Sequence, residues 1–339
     1  MQRVTLKEVA ERAGVHPATA SRALNAATRG LVNAQTAARV DKAARQLGYT
    51  PNSIARSLKT SRSSTIGLLL PDLTNPLFPP IVRGVEDVLR AVGYSPWIIN
   101  TDNEPDREAA AIESFRGRSV DGFVVATARL QDPLLEEVAD SGTPLVLVNR
   151  RVASPDIPSV TGDDAAGVSA ALRHLYDLGH HDIVHLAGPQ NLSTGLARRQ
   201  AFRQAMEDLG LPAGPDRIAD AVAWSEPAGA DAMQSIVERG VPYTAVLAGN
   251  DLIALGCYDV LERRGLRCPA DVSVVGFNDM PFIDRVAPPL TSVRVPHYEI
   301  GAEAARLLLE VLEDPERHPR SVVLPLTLSV RGSTAAPRT

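Results

Sequence analysis

From Thr65 onward the chain alternates short apolar runs with amphipathic stretches, and this alternation restricts the fold more than any other feature. Strand-sized runs occupy Ile66 to Pro71, Ser95 to Asn100, Gly122 to Ala126, Leu145 to Asn149, Ile183 to Ala187, Ala245 to Ala248 and Val272 to Gly276. Helical spacing fills the intervals at Leu77 to Val92, Asp106 to Arg116, Gly167 to Leu178, Arg198 to Leu209, Gly229 to Glu238, Leu252 to Arg264 and Glu299 to Leu312. Repeated strand–helix alternation predicts an α/β fold of parallel sheets with helices on both faces. The two halves resemble each other, since Arg83 to Gly93 and Arg199 to Gly210 each run as a helix closed by Gly just before a strand region. In open α/β sheets ligands sit beyond the carboxyl ends of strands, so the loop residues there are the candidates for a binding site. They are Asp72 to Phe78, Asn149 and Arg150, Gly188 and Pro189 followed by Ser193 to Arg198, then Trp224, Asn250 with Asp251, and Asn278 with Asp279.

The first 64 residues have a different character, and here charge matters. They hold 11 Lys or Arg against 3 Asp or Glu, a balance of +8, whereas the remainder carries 24 against 37, or −13, within a chain whose total is −5. All lysines fall in the first 59 residues. A basic head on an acidic body points to a nucleic-acid partner. Thr5 and Glu8 fit a capping box, after which Leu6, Val9, Ala10 and Ala13 recur at helical spacing and Gly14 ends the helix. A second helix from about Pro17 to Asn25 turns Ala20, Ala23 and Leu24 inward and leaves Ala18, Thr19, Ser21 and Arg22 outside. With a third from Asn33 or Thr36 to Leu47, closed by Gly48, the three form a helix-turn-helix unit, although any three-helix bundle has similar periodicity. Pro51 to Thr60 is a short helix-compatible stretch whose large apolar side chains are Ile54 and Leu58, followed by the polar linker Ser61 to Ser64.

Across Val4 to Ala10, Ala13 to Val15, Ala18 to Asn25, Leu47 to Asn52 and Ala55 to Thr60, the chain closely resembles the LacI/GalR family of bacterial transcriptional repressors, and the likeness continues to about Thr334. The resemblance implies a helix-turn-helix head over residues 1–50, a hinge helix and linker over 51–64, and an effector-binding and dimerisation body over 65–339. The body resembles a two-lobed type I periplasmic-binding-protein fold. Its first lobe is expected over about 65–161 and 293–321 and its second over about 162–292 and 322–334. Pro289 to Val293 is expected to be a strand returning to the first lobe, and Val322 to Arg331 a tail strand leading into Arg331-Gly332-Ser333-Thr334, with Gly332 where Glu is usual.

The resemblance also assigns roles. Pro17, Ala18 and Arg22 would face base edges, with Thr19 and Ser21 nearer the phosphates, and Thr5, Leu6, Asn25, Tyr49 and Asn52 complete the DNA-facing set on the head. Arg22 has the donor fork for a bidentate pair with guanine, and Leu58, flanked by Ala55 and Lys59, the shape to wedge between base pairs from the minor groove. His16 stands where relatives usually carry a Ser N-cap, so its role stays open between a weaker cap and a phosphate contact. In the body, Arg198 would grip a polar effector, Phe78 and Trp224 would flank it, and Asn149 and Asn250 would offer amides, with Leu77, Arg150 and Ser193 beside them. Asn278 replaces a common Asp, so a carboxylate contact is expected to be lost there, while Asp279 points elsewhere.

Other chemistries fit poorly. Cys257 and Cys268 match no zinc or redox spacing, and His181 and His185 fall on a strand where a metal could not bridge them. There is no G-x-S-x-G elbow, no phosphate-cradling Gly loop and no G-x-G-x-x-G after a strand, and Asp163-Asp164 reads as a helix start, so neither an enzyme nor a cofactor is expected. No apolar run is long enough to span a membrane, and the N-terminus enters an amphipathic helix directly, so a cytoplasmic protein is expected. No leucine heptads follow Thr334, which favours a homodimer, its interface around Leu77 to Val92, on a pseudo-palindromic double-stranded operator. The expected function is a transcriptional regulator, a repressor, controlled by a small-molecule effector of carbohydrate type. A nucleoside or purine effector, a co-repressor response and a sugar-binding protein that does not bind DNA are the alternatives.

Overall fold

The computed structural model describes residues 4–25, 28–50, 62–314 and 317–338. The chain divides into two compact units, Met1–Ser63 and Ser64–Thr339. In the first, α1 (Leu6–Ala13), α2 (Pro17–Leu24) and α3 (Ala34–Leu47) begin and end where the local chemistry demands. Thr5 N–H donates to Glu8 Oε2 (2.6 Å) and Glu8 N–H to Thr5 Oγ1 (3.4 Å), closing the capping box, and Gly14 and Gly48 end α1 and α3 in the left-handed conformation. Val9, Ala10, Ala13, Ala20, Ala23, Ala37, Val40, Ala43 and Ala44 form the core of this unit. Seven of these nine are alanines, so the helices pack closely around little apolar volume, and the bidentate Arg29–Asp41 pair braces the loop before α3. Asn52, Ala55, Leu58 and Lys59 lie outside the described residues.

The second unit holds two six-stranded sheets. The first runs β11-β5-β4-β3-β1-β2 and is parallel throughout. Its strands are β1 (Thr65–Leu70), β2 (Ser95–Asn100), β3 (Gly122–Val125), β4 (Leu145–Val148), β5 (Ser159–Gly162) and β11 (Ser321–Leu324). Helices α4 (Phe78–Ala91), α5 (Pro105–Gly117), α6 (Pro133–Asp140) and α11 (His297–Glu313) belong with it. The second sheet runs β12-β10-β9-β8-β6-β7, built from β6 (Ile183–Ala187), β7 (Ile218–Asp220), β8 (Ala245–Ala248), β9 (Ser273–Asn278), β10 (Thr291–Arg294) and β12 (Thr327–Ser329). Its one antiparallel pair is β10 with β12. Around it lie α7 (Asp164–Asp177), α8 (Ser193–Asp208), α9 (Glu226–Arg239) and α10 (Asp251–Arg263). Both sheets have helices on both faces, so central strands such as β1, β4 and β6 are buried at every residue, which is why they read as unbroken apolar runs.

Helices α4 and α11 cross at unusually close range. A Cβ on Gly84 would meet Tyr298 O at 2.1 Å, and one on Gly301 would meet Ile81 O at 2.1 Å, so each helix needs glycine where it meets the other.

Several expected boundaries move. The strand at Thr291–Arg294, expected to return to the first lobe, pairs with β9 and β12 in the second sheet, and the chain crosses just beyond it at Val295-Pro296. The expected tail strand Val322 to Arg331 is two strands, β11 in the first sheet and β12 in the second, separated at Pro325, which has no N–H for a continuous ladder. The lobes therefore join at three crossovers, after Gly162, after Arg294 and after Leu324. Helices α7, α8 and α9 start several residues earlier than apolar spacing suggests, because their first turns consist mainly of small or polar residues with almost no large apolar side chains to show the period. Asp163 and Ser225 cap α7 and α9 from side-chain oxygens. β5, β7 and α6 are too short for periodicity to announce.

Among the described residues no helix is long and apolar enough to cross a membrane.

Candidate functional site

Between the two lobes lies a cleft built from residues that follow strands. From the first lobe, the turn after β1 presents Asn75, Leu77 and Phe78, and the end of β4 presents Asn149 and Arg150. Asn75 Oδ1 accepts from Leu77 N–H (3.2 Å), which fixes the turn and sets the buried Phe78 ring at the start of α4. Asn149 takes φ +66°, a left-handed conformation that asparagine tolerates better than most residues. From the second lobe come Thr194 and Arg198 of α8, Trp224 after β7, Asn250 after β8 and Asn278 at the end of β9.

Arg198 is the most constrained of these. Nε donates to Asp164 Oδ1 (2.8 Å) and Nη1 to Gly249 O (2.7 Å), while the guanidinium carbon lies 3.7 Å from the Phe277 ring centroid and 5.6 Å from that of Trp224. The guanidinium is thus stacked and doubly anchored, with Nη2 left for another partner. Burial pushes the Asp164 carboxyl above the usual range, against the opposing pull of Arg198. The indole of Trp224 lies where a Cβ on Gly188 would stand, 1.9 Å from a ring atom, so the ring reaches the cleft floor only because residue 188 is glycine.

Eight of the nine expected effector residues line the cleft: Leu77, Phe78, Asn149, Arg150, Arg198, Trp224, Asn250 and Asn278. Ser193 is not among the lining residues. Its Oγ accepts from Arg151 N–H (3.0 Å) and so ties the lobes together at the cleft margin, where Leu130 N–H also donates to Asn191 O (2.9 Å). Asn75 and Thr194 also line the cleft; both lie within the post-strand loops picked out as candidates, though neither is assigned a role there. Asp164, read only as a helix start, is the anion that holds Arg198 across 34 positions of sequence, a distance no local pattern reveals.

Behind the cleft, acidic residues tie it to the crossovers. Asp279 Oδ1 accepts from Arg331 Nη2 (2.6 Å), and its Oδ2 from Arg294 Nε (2.7 Å) and Ser329 Oγ (3.1 Å). Asp279 thus points away from the cleft while its neighbour Asn278 lines it, and it binds both strands flanking the second and third crossovers. Asp163 N–H donates to Leu324 O (2.9 Å), joining the first crossover to the third. Asp251 accepts from Ser292 Oγ (2.6 Å) and Met280 N–H (2.8 Å), and burial pushes its carboxyl up to about 7. His185, stacked on Phe202 at 4.8 Å and bonded through Nδ1 to Leu247 O (2.7 Å), is driven down to about 4 by burial, so it is a neutral core residue.

On the head, Pro17, Ala18, Arg22, His16 and Asn25 are exposed, Leu6, Thr19, Ser21 and Tyr49 half-buried, and Tyr49 packs against the small core. Thr5 is exposed, but its hydroxyl is held by Glu8. Arg22 has no ion-pair partner among the described residues, which leaves its fork unoccupied. His16 Nδ1 accepts from Ala18 N–H (3.2 Å), so the imidazole caps α2 as a serine hydroxyl would, and its ring proton belongs on Nε2.

Residues 5–52 match the family model described as bacterial regulatory proteins, lacI family, and residues 63–331 that of periplasmic binding proteins and sugar binding domain of LacI family. The HTH-type transcriptional repressor CytR of Escherichia coli (strain K12) is 34% identical over 333 residues, spanning 98% of this chain and 96% of that protein. The ribose operon repressor of Bacillus subtilis (strain 168) is 35% identical over 333 residues, 97% and 98% of the two chains. A crystal structure of the Lac repressor dimer bound to operator and the anti-inducer ONPF matches with a TM-score of 0.86 at 27% identity, over 99% of this chain and 100% of that one.

Proposed function

The chain belongs to the lacI family of bacterial regulatory proteins, and on that premise we propose that it is a DNA-binding transcriptional repressor whose operator affinity is set by a small molecule, a sugar or sugar derivative, held between the lobes. One observation carries the reading: buried donors built on two separate sheets converge on one cleft, in a chain whose basic head leaves an arginine fork free on an exposed helix face. Arg22 reads guanine in the major groove, His16, Thr19 and Ser21 approach phosphates, and Leu58 with Ala55 and Lys59 widens the minor groove. Two copies bind the half-sites of a pseudo-palindrome. The first lobe supports a dimer: edge strand β2 exposes Trp97 and Ile98, a self-pairing surface next to α4.

The effector acts through a difference in affinity between two lobe arrangements, a coupling of typically 1–3 kcal/mol. Its contacts at Arg198 and Asn278 are each one residue or one bond from a crossover, through Asp164 and Asp279, so a change in lobe angle is felt where the chain passes between lobes. Relatives that are repressors support regulation in place of catalysis.

Mapping the chromosomal sites bound by the full-length protein tests the reading. Enrichment at pseudo-palindromic sites is expected. A sequence-indifferent profile, or none, would contradict it.

A further inference from the structure

We propose that the effector carries an anionic group, a carboxylate or a phosphate ester, held by Arg150; this rests on the effector-cleft reading above. The cleft lining contains two guanidinium groups, Arg150 and Arg198, and no carboxylate. Arg198 is matched by Asp164 at 2.8 Å. Arg150, only 4% exposed, has no carboxylate of the described residues within ion-pair distance. Among the described residues its side chain makes one hydrogen bond, a long one from Nη1 to Asn103 Oδ1 (3.5 Å), and its Nε is buried without a partner.

The acids nearby are engaged. Glu108 is held by Arg129 Nη1 (3.1 Å) and by the Thr127 hydroxyl, and Asp132 caps α6 through Leu135 N–H (3.3 Å) while lying 3.8 Å from Arg129. Burial and the neighbouring Arg129 charge lower Arg150 to about 10, as expected of a guanidinium without a counter-ion in contact.

Orphan polarity decides the ligand class. The buried cleft atoms without a partner are Arg150 Nε and Asn250 Nδ2, both donors, while Asn250 Oδ1 is taken by Ile253 N–H (2.8 Å). A neutral polyol finds acceptors in the amide oxygens of Asn149 and Asn278 and the Thr194 hydroxyl, but it brings no charge to match the Arg150 guanidinium. An acid group brings acceptors alone and supplies the missing counter-charge.

The test uses the full-length protein, calorimetric titration and three sets of probes: D-glucose, D-gluconate and glucose 6-phosphate; D-ribose, D-ribonate and ribose 5-phosphate; and inorganic phosphate. At least one acid is expected to bind ten-fold or more tightly than its neutral parent, with gluconate-type and phosphate-type acids distinguishing the two sources of charge. Arg150→Gln should reduce that preference below three-fold. Without ligand, the same variant should melt no lower than the parent, because it removes an uncompensated buried cation. A neutral sugar that binds as tightly as its acid, an acid preference untouched by Arg150→Gln, or a large drop in the variant's melting temperature each overturns the proposal while leaving the effector reading in place. Binding of phosphate alone as tightly as any sugar acid shows a bare anion site and overturns it too. If no member of any class binds, the effector-cleft reading falls and the proposal with it.

Discussion

Arg198 illustrates how a side chain proposed to bind an effector is also part of the architecture. Two of its donors are spent on Asp164 and Gly249 and its face on Phe277, so the group offered to a ligand is rigid before the ligand arrives. Arg198→Ala is expected to leave the effector unable to change the operator half-saturation concentration by more than two-fold, read by gel shift with and without effector. A full response in the variant would assign Arg198 to folding alone. His185 makes the contrasting case of a histidine that stays neutral. Its folded-state value of about 4 lies below the ordinary 6.5, so between these pH values the unfolded chain binds a proton that the folded one does not. Stability therefore falls as pH drops from 6.5 toward 4, by up to ~1.4 kcal/mol per pH unit for this group. His185→Gln should flatten that limb in urea unfolding at pH 7 and pH 5. An unchanged slope would mean that other groups set it.

At the scale of elements, what was readable depended on whether a boundary had a local cause. Gly14 and Gly48 end helices by backbone conformation, and Thr5 and Glu8 start one through their own side chains, so the head could be drawn from sequence. The first turn of α8 has no side-chain cap, and the helix begins five residues before the apolar pattern shows it. That displacement puts Ser193 in contact with Arg151 across the lobes and Thr194 in the cleft. The α4–α11 crossing depends on glycine at both contact points. Gly84→Ala would drive a methyl onto Tyr298 O, and a loss of about 1–3 kcal/mol is expected in equilibrium unfolding. A neutral result would mean that the helices separate at little cost. Asp279 shows the opposite limit, since residues at 294, 329 and 331 meet on it only after β9, β10 and β12 have paired.

For the molecule as a whole, the charge division acquires a measurable consequence. On the proposed reading the +8 head of each copy places its cations against phosphates, and the −13 body is repelled by them. If six to ten phosphates are neutralised, operator affinity is expected to fall by roughly 10³–10⁵ between 50 and 200 mM salt, measured by fluorescence anisotropy. A change under ten-fold would show that the head's charge is not spent on DNA.

Periodicity, caps and charge by themselves determined that this chain has a basic three-helix head and an α/β body, and which post-strand loops face a cleft, because each of those signals arises within a few residues. Tertiary structure alone decided which sheet owns β10, β11 and β12, that Ser193 bridges lobes while Thr194 lines the cleft, and that Asp164 and Asp279 restrain Arg198, Arg294 and Arg331. It also decided that Arg150 is left without an anion. The physical reason is range: an ion pair or a sheet neighbour joins residues tens to more than a hundred positions apart, and only the folded chain brings such partners within 3 Å.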